Sequence, residues 1–128
     1  MVTDGRFNLF VDDPGDPKHK RMWYRMHLSD VDQRLMYFEG FKDIHDDPGV
    51  DIWRDTTTLF ITLFDGEDDQ APVLAKGVLR IRPRDFARQL TTMQALNASS
   101  VREALEAKAK FGAYFARSLH EVYGALLV

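Results

Sequence analysis

The stretch that decides the fold is residues 22–28, which read MWYRMHL. Apolar and mostly polar residues alternate along it: one set is Met22, Tyr24, Met26 and Leu28, and the other is Trp23, Arg25 and His27. An alternation of period two is typical of a β-strand that buries one face and exposes the other. We therefore predict a half-buried antiparallel strand at this place.

Strand patterns continue on both sides of this stretch. Turn-forming residues at 29–33 separate it from an aromatic-rich run at 34–41, and this arrangement predicts a β-hairpin. The segment 12–20 is rich in Pro, Asp and Lys, and we expect it to form a loop. Further strands are predicted at residues 7–11, 56–64 and 73–82.

From Pro83 onward the spacing of apolar residues becomes helical. Phe86, Leu90 and Met93 recur at the interval of one helix face, and Pro83 suits the first turn of a helix. We predict a first helix that ends near Asn97.

A second, longer helix is predicted after it. Ser100 and Glu103 have the spacing of a capping box, and Gly124 is a plausible C-terminal cap. About 22 helical residues would span roughly 33 Å. The stripe that follows helical spacing consists of Val101, Leu105, Lys108, Phe111, Gly112, Phe115, Leu119, Val122 and Leu126.

Strands without crossover helices, followed by helices, favour the α+β class over a parallel βαβ arrangement. We predict a curved antiparallel sheet of four or five strands, or a partial barrel, packed against two C-terminal helices. A chain of 128 residues is long enough for one core. We expect a single domain over residues 1–128, either complete in itself or the C-terminal part of a larger module.

The composition excludes several classes of function. The chain has no Cys, which removes thiol nucleophiles, thiolate zinc sites, iron–sulfur clusters and disulfides. Its 17 basic and 20 acidic residues give a net charge of −3, which disfavours generic nucleic-acid binding. The first residues lack the basic-then-apolar pattern of a leader, and no apolar run approaches the roughly 20 residues of a membrane span. We expect a cytoplasmic domain without a cofactor.

Residues able to carry catalysis are few and scattered. His45 and His120 have no recognisable nucleophile or orienting acid beside them. The serines fit turn, cap or helix positions, and no Gly-x-Ser-x-Gly elbow or phosphate-binding glycine motif is found. We therefore predict no catalytic site within this chain.

The densest acidic stretch, residues 43–51, allows a different hypothesis. His45 with Asp46, Asp47 and Asp51 would offer ligands to a metal ion. The spacing does not match a calcium-binding loop, and Asp residues before Pro-Gly commonly form turns without any ligand. We predict no metal site and keep a metal-dependent enzyme as the least favoured hypothesis.

Aromatic residues and threonines give the candidate contact residues. Near the middle of the chain, Trp53 and the neighbouring threonines would line the mouth of a ligand pocket, although threonines are also good strand formers. The last helix carries more aromatic surface than a narrow packing seam needs. The predicted ligand or partner contacts are Trp53, Thr56, Thr58, Phe111, Tyr114, Phe115 and Tyr123.

The run at residues 40–60, GFKDIHDDPGVDIWRDTTTLF, carries a family resemblance. Shorter runs that add to it are residues 7–10, 22–26, 75–81 and 111–115. Over nearly its whole length the chain resembles an accessory, non-flavin region of large bacterial glucose–methanol–choline oxidoreductases, in particular the cholesterol oxidase-like members. These are packing-type motifs, which identify a module more readily than an activity.

The resemblance implies flavin binding and oxidation of a sterol hydroxyl for the parent enzymes only. Both need a Gly-x-Gly-x-x-Gly site and a catalytic His/Asn region, which this chain lacks, so no oxidase residue is carried over. In the similar proteins the module begins upstream of Phe7, so the resemblance implies that Met1 marks a truncated or independently encoded version. A strand at Phe7 would then lack a neighbour, and an unpaired strand edge invites association.

These observations rank three hypotheses. The favoured one is a non-catalytic accessory or association domain related to lipid- or sterol-processing oxidoreductases, which contacts either a second copy of itself or a neighbouring oxidoreductase domain. The alternative is a module that binds a small apolar ligand such as a lipid or sterol. The metal-dependent enzyme comes last.

Overall fold

A computed structural model of the chain describes residues 1–45 and 52–124. Their contacts fall into two compact units, Met1–Arg80 and Ile81–Val128. The elements of the first unit are β1 (Val2–Asp13), β2 (Asp16–Ser29), β3 (Leu35–His45), α1 (Ile52–Thr57), β4 (Thr58–Phe64) and β5 (Val73–Arg80). The second unit contains α2 (Pro83–Thr91) and α3 (Val101–Tyr123).

The strands form one antiparallel sheet in the order β1-β2-β3-β4-β5. Each strand therefore pairs with its neighbours in sequence, and β1 and β5 are the two edges of an open sheet. Together with the two helices that follow, this sheet confirms the predicted α+β class.

The alternation at residues 22–28 gives the sheet two different faces. Met22 is opposite Lys42 and Trp23 is opposite Phe41, so odd-numbered residues of β2 and β3 share one face and even-numbered residues share the other. The even-numbered face of these strands contains Met22 and Ile44, which are 2% and 0% exposed. The predicted face of Met22, Tyr24, Met26 and Leu28 is thus the one that contributes to the core.

The strand predicted to begin at Thr56 begins instead at Thr58, because the preceding residues form α1. The Thr56 hydroxyl donates a hydrogen bond to the Ile52 carbonyl at 2.7 Å, and the Thr57 hydroxyl donates to the Trp53 carbonyl. Such bonds to the preceding turn are available to Thr in a helix and offset its preference for a strand. The predicted start at Thr56 was therefore wrong, whereas the rest of the predicted strand is β4.

The segment predicted as a loop, residues 12–20, is mostly the end of a β-hairpin. β1 continues to Asp13 and β2 begins at Asp16, which leaves only Pro14 and Gly15 between them. The Gly15 amide donates to the Asp13 carboxylate at 2.8 Å, so an Asp side chain closes the turn. The prediction was wrong because Pro and Asp were interpreted as a long loop when they supply one tight turn.

The helices of the second unit begin where the sequence predicts. Pro83 occupies the first turn of α2, and the Ser100 hydroxyl accepts from the Glu103 amide at 3.1 Å at the start of α3. α3 ends at Tyr123, followed by Gly124 with a φ of 61°. α2 ends at Thr91, earlier than the predicted end near Asn97. Within the described ranges, no helix is long and apolar enough to cross a membrane.

Removal of the Ser100 hydroxyl should destabilise the second unit. We expect Ser100→Ala to lower the free energy of unfolding by about 1 kcal/mol, because the Glu103 amide loses its capping acceptor. Urea denaturation followed by circular dichroism measures the change, with Ser29→Ala in β2 as the control. Equal unfolding free energies for Ser100→Ala and the unsubstituted chain would contradict this role of the cap.

Candidate functional site

β5 is an edge strand with an unusually apolar sequence, VLAKGVLR. It pairs with β4 on one side, with Lys76 opposite Thr62 and Val78 opposite Phe60. All eight of its residues are exposed, including Val78 at 51% and Leu79 at 56%. On its other side, a row of backbone N–H and C=O groups has no strand partner among the described residues.

The opposite edge, β1, differs from β5 in a way that matters for association. The pairing of β1 with β2 has three register shifts, between Val2 and Asp4, between Asn8 and Val11, and between Asp12 and Asp13. Bulges and charged residues such as Asp4 and Arg6 protect an edge from pairing with another chain. β5 has one register shift, at its start beside Phe64, so most of its edge is regular.

Both faces of β5 carry apolar residues. Leu74, Lys76, Val78 and Arg80 alternate with Val73, Ala75, Gly77 and Leu79. A strand that is covered on both faces has this composition, whereas an edge strand in contact with water is usually polar on at least one face. The sequence therefore suits a central strand, but the structure places it at an edge.

An open depression of about 360 Å³ lies on β4 and β5. It is lined by Phe60, Ile61, Thr62, Lys76, Gly77 and Val78. A Cβ atom added at Gly77 would meet nothing within 4 Å, so packing within the chain does not require glycine at this position. Glycine inside a strand often marks a place where another backbone approaches closely.

The residues predicted as contacts are distributed over both units. Trp53 in α1 is exposed, as are Phe111 and Tyr114 in α3. Thr58 and Tyr123 are buried. Thr56 and Phe115 are of intermediate exposure. The rings of Phe111 and Phe115 lie 6.1 Å apart on one side of α3.

Sequence reasoning did not select any residue of β5 as a contact. Its strand pattern was recognised, but its position at the edge of the sheet depends on the order in which the strands pair. The one available signal was an apolar sequence on both faces, which becomes informative only when the neighbours are known.

A network of histidines and aspartates joins β1, β2 and β3. It lies where the turn between β1 and β2 approaches the end of β3. His19 Nδ1 is 2.9 Å from an oxygen of Asp13, and His19 Nε2 contacts the carboxylate of Asp43. His45 Nε2 is 3.1 Å from an oxygen of Asp16. The rings of His19 and His45 meet edge to face, with centroids 5.1 Å apart.

This geometry favours the charged form of His19. An ionised carboxylate only accepts hydrogen bonds, so an imidazole with one carboxylate at each nitrogen must donate from both. Burial disfavours the charge on this ring, but the hydrogen bonds to Asp43 and Asp13 outweigh it and raise the pKa of His19 above its ordinary value. The Gly15 amide and His19 lower the pKa of Asp13.

The network links strands and shows no arrangement typical of a metal centre. In the part of the chain that the structure describes, no group of three or more His, Asp or Glu side chains could hold a metal ion. Three of the proposed metal ligands, Asp46, Asp47 and Asp51, lie outside the described residues. The fourth, His45, contacts Asp16. A metal-dependent enzyme built on this loop remains an untested prediction.

A second, smaller depression of about 250 Å³ lies beside this network. Its lining residues are Val11, Asp12, Asp13, Pro14, His19, Arg21 and Trp23. The lining is rich in charged groups, whereas a site for a lipid or sterol is mostly apolar with a few polar groups. This depression offers no support for the apolar-ligand hypothesis, which also stays a prediction.

Comparisons of the chain with protein-family models, with curated proteins and with solved structures found no match. The resemblance to an accessory region of glucose–methanol–choline oxidoreductases therefore stays a prediction from sequence.

The charge of His19 should be visible in its titration. We expect its pKa to lie above about 6.5, the ordinary value for histidine, and to fall in Asp43→Asn because one charged acceptor is lost. NMR titration of the His19 ring resonances measures both values.

The same shift fixes the sign of the effect on stability. A raised pKa in the folded state stabilises the fold fully below about pH 6.5, and this contribution is lost as the pH rises through the pKa of folded His19. A His19 pKa at or below the ordinary value, unaffected by Asp43→Asn, would contradict the assignment.

Proposed function

We propose that the chain is a non-catalytic association domain that joins another polypeptide strand to its sheet through the open edge of β5. The observation that carries this proposal is the exposure of the whole strand, apolar on both faces, beside a regular and unpaired backbone edge. Addition of a strand would give that edge its missing hydrogen bonds and place side chains of the added strand beside Leu74, Val78 and Leu79.

The energetics of strand addition suit a protein–protein contact. Backbone hydrogen bonds provide affinity that depends little on sequence, and the alternate side chains provide specificity. Each favourable cross-strand pair adds roughly 0.2–1 kcal/mol. Several such pairs along eight residues would add to the backbone hydrogen bonds in offsetting the free energy that association costs.

The sequence resemblance supports a wider context for this association. It favours work beside a lipid- or sterol-processing oxidoreductase whose flavin site belongs to another domain. In that setting the exposed Trp53, Phe111 and Tyr114 supply additional contact area, since aromatic residues are frequent anchors in interfaces.

Binding of an isolated strand tests the proposed function directly. A fluorescein-labelled peptide with the sequence of residues 72–82 should bind the chain saturably, as measured by fluorescence anisotropy. Leu79→Lys in the chain should weaken this binding about tenfold, because it replaces an apolar contact with a charge that resists pairing at the edge.

Val31→Lys is the matched control, because Val31 is an exposed apolar residue in the turn between β2 and β3 and is not part of β5. It should leave the affinity for the peptide unchanged. Absence of peptide binding to the unsubstituted chain would overturn the proposed function, as would equal weakening by Leu79→Lys and Val31→Lys.

A further inference from the structure

We propose that the strand which β5 accepts is β5 of a second copy of this chain, paired antiparallel about a two-fold axis at Gly77. This inference rests on the proposed function and adds the partner and the register. It would join two five-stranded sheets into one continuous sheet across the dimer.

The charges at the two ends of β5 identify a second copy as the partner. The turn before the strand contains three exposed acidic residues: Glu67, Asp68 and Asp69. The strand ends at Arg80, and two further exposed arginines follow, Arg82 and Arg84. An antiparallel pair of β5 strands brings the acidic end of each copy beside the basic end of the other, so the attraction occurs twice.

Symmetry restricts the register of such a pair. A two-fold axis perpendicular to an antiparallel sheet places one residue opposite its own copy, and its neighbours pair in mirror order around it. An axis at Lys76 would set two lysines against each other. An axis at Val78 would set Lys76 against Arg80 of the second copy. Both choices oppose like charges, which destabilises a cross-strand pair.

An axis at Gly77 avoids both conflicts and uses the strand almost fully. Lys76 is then opposite Val78 of the second copy, and Leu74 is opposite Arg80, so the aliphatic stem of each cation covers an apolar side chain. On the other face, Ala75 is opposite Leu79. Axes nearer either end of β5 pair fewer of its residues.

Glycine at the axis is consistent with this register. A glycine inside a strand weakens it, and no neighbour within the chain prevents a larger residue at Gly77. In the dimer, the two glycines leave the centre of the interface free of side chains on that face, where the two backbones meet.

Single cysteines can test the register because the chain has no cysteine of its own. Residues directly opposite in antiparallel strands have Cα atoms about 4.5–5.5 Å apart, within the range that a disulfide spans. Under a mild oxidant, Gly77→Cys should form a disulfide-linked dimer at least tenfold faster than Lys76→Cys or Val78→Cys. Gly77 lacks a positive φ and has room for a Cβ atom, so its substitution is compatible with the fold.

A pair of charge variants tests the same register without a covalent bond. In the proposed dimer, Val78→Glu faces Lys76 of the second copy, whereas Val78→Lys sets like charges there. Sedimentation equilibrium should give a dimer dissociation constant at least tenfold higher for Val78→Lys than for Val78→Glu. Both variants place a charged residue at the same exposed position. Any effect of charge alone on β5 is therefore the same in both, and the difference between them reports the residue opposite.

The outcomes separate this inference from the proposed function. Faster crosslinking of Lys76→Cys or Val78→Cys than of Gly77→Cys would overturn the register, as would equal dissociation constants for the two charge variants. A chain that sediments as a 14.8 kDa monomer at every concentration would overturn the second copy as partner. The proposed function would survive that last result if the labelled peptide still bound, and would fail only if it did not.

Discussion

The open backbone edge of β5 is the constraint that the functional interpretation depends on. An open sheet has two edges, and each edge leaves polar backbone groups that need water or another strand. β1 meets this requirement with register shifts and charges. β5 has one register shift and two cations, Lys76 and Arg80, and exposes apolar side chains on both faces. Its sequence is suited to an interior strand, and a partner strand would place it between two strands.

The histidine–aspartate network links β1, β2 and β3 to one another. His19 has a carboxylate at each ring nitrogen, so neither nitrogen is available to take a proton from a substrate in this arrangement. Asp13 comes from the end of β1 and Asp43 from β3, on either side of the strand that carries His19. The imidazole thereby joins three successive strands.

Much of the fold could be predicted from local sequence patterns. The alternation at residues 22–28 identified a strand and its buried face, and the spacing of Ser100 and Glu103 located the start of α3. α1 was missed because hydroxyl groups of Thr56 and Thr57 bond to the preceding helical turn, an option that strand propensity does not include. The predicted strands were shorter than β1 and β2 because the sequence around the tight turn at Pro14 and Gly15 was interpreted as a longer loop.

The candidate site was harder to predict than the fold because it depends on pairing between distant segments. No local pattern states that β5 is an edge, since that property belongs to the strand order. The link from His19 to Asp43 likewise follows from the register of β2 against β3, which no spacing along the chain encodes. The predicted contacts Thr58 and Tyr123 were selected by residue type and are buried in the structure.

Hydrogen exchange along β5 is the most direct measurement of the central claim. Amides of β5 that point away from β4 should exchange slowly at high protein concentration and become fast on dilution, while amides of β4 and β3 change little. Such a result would show that the open edge acquires a strand partner as chains associate. Fast exchange of the outward-pointing β5 amides at every concentration, in a chain shown by sedimentation to associate, would contradict the account.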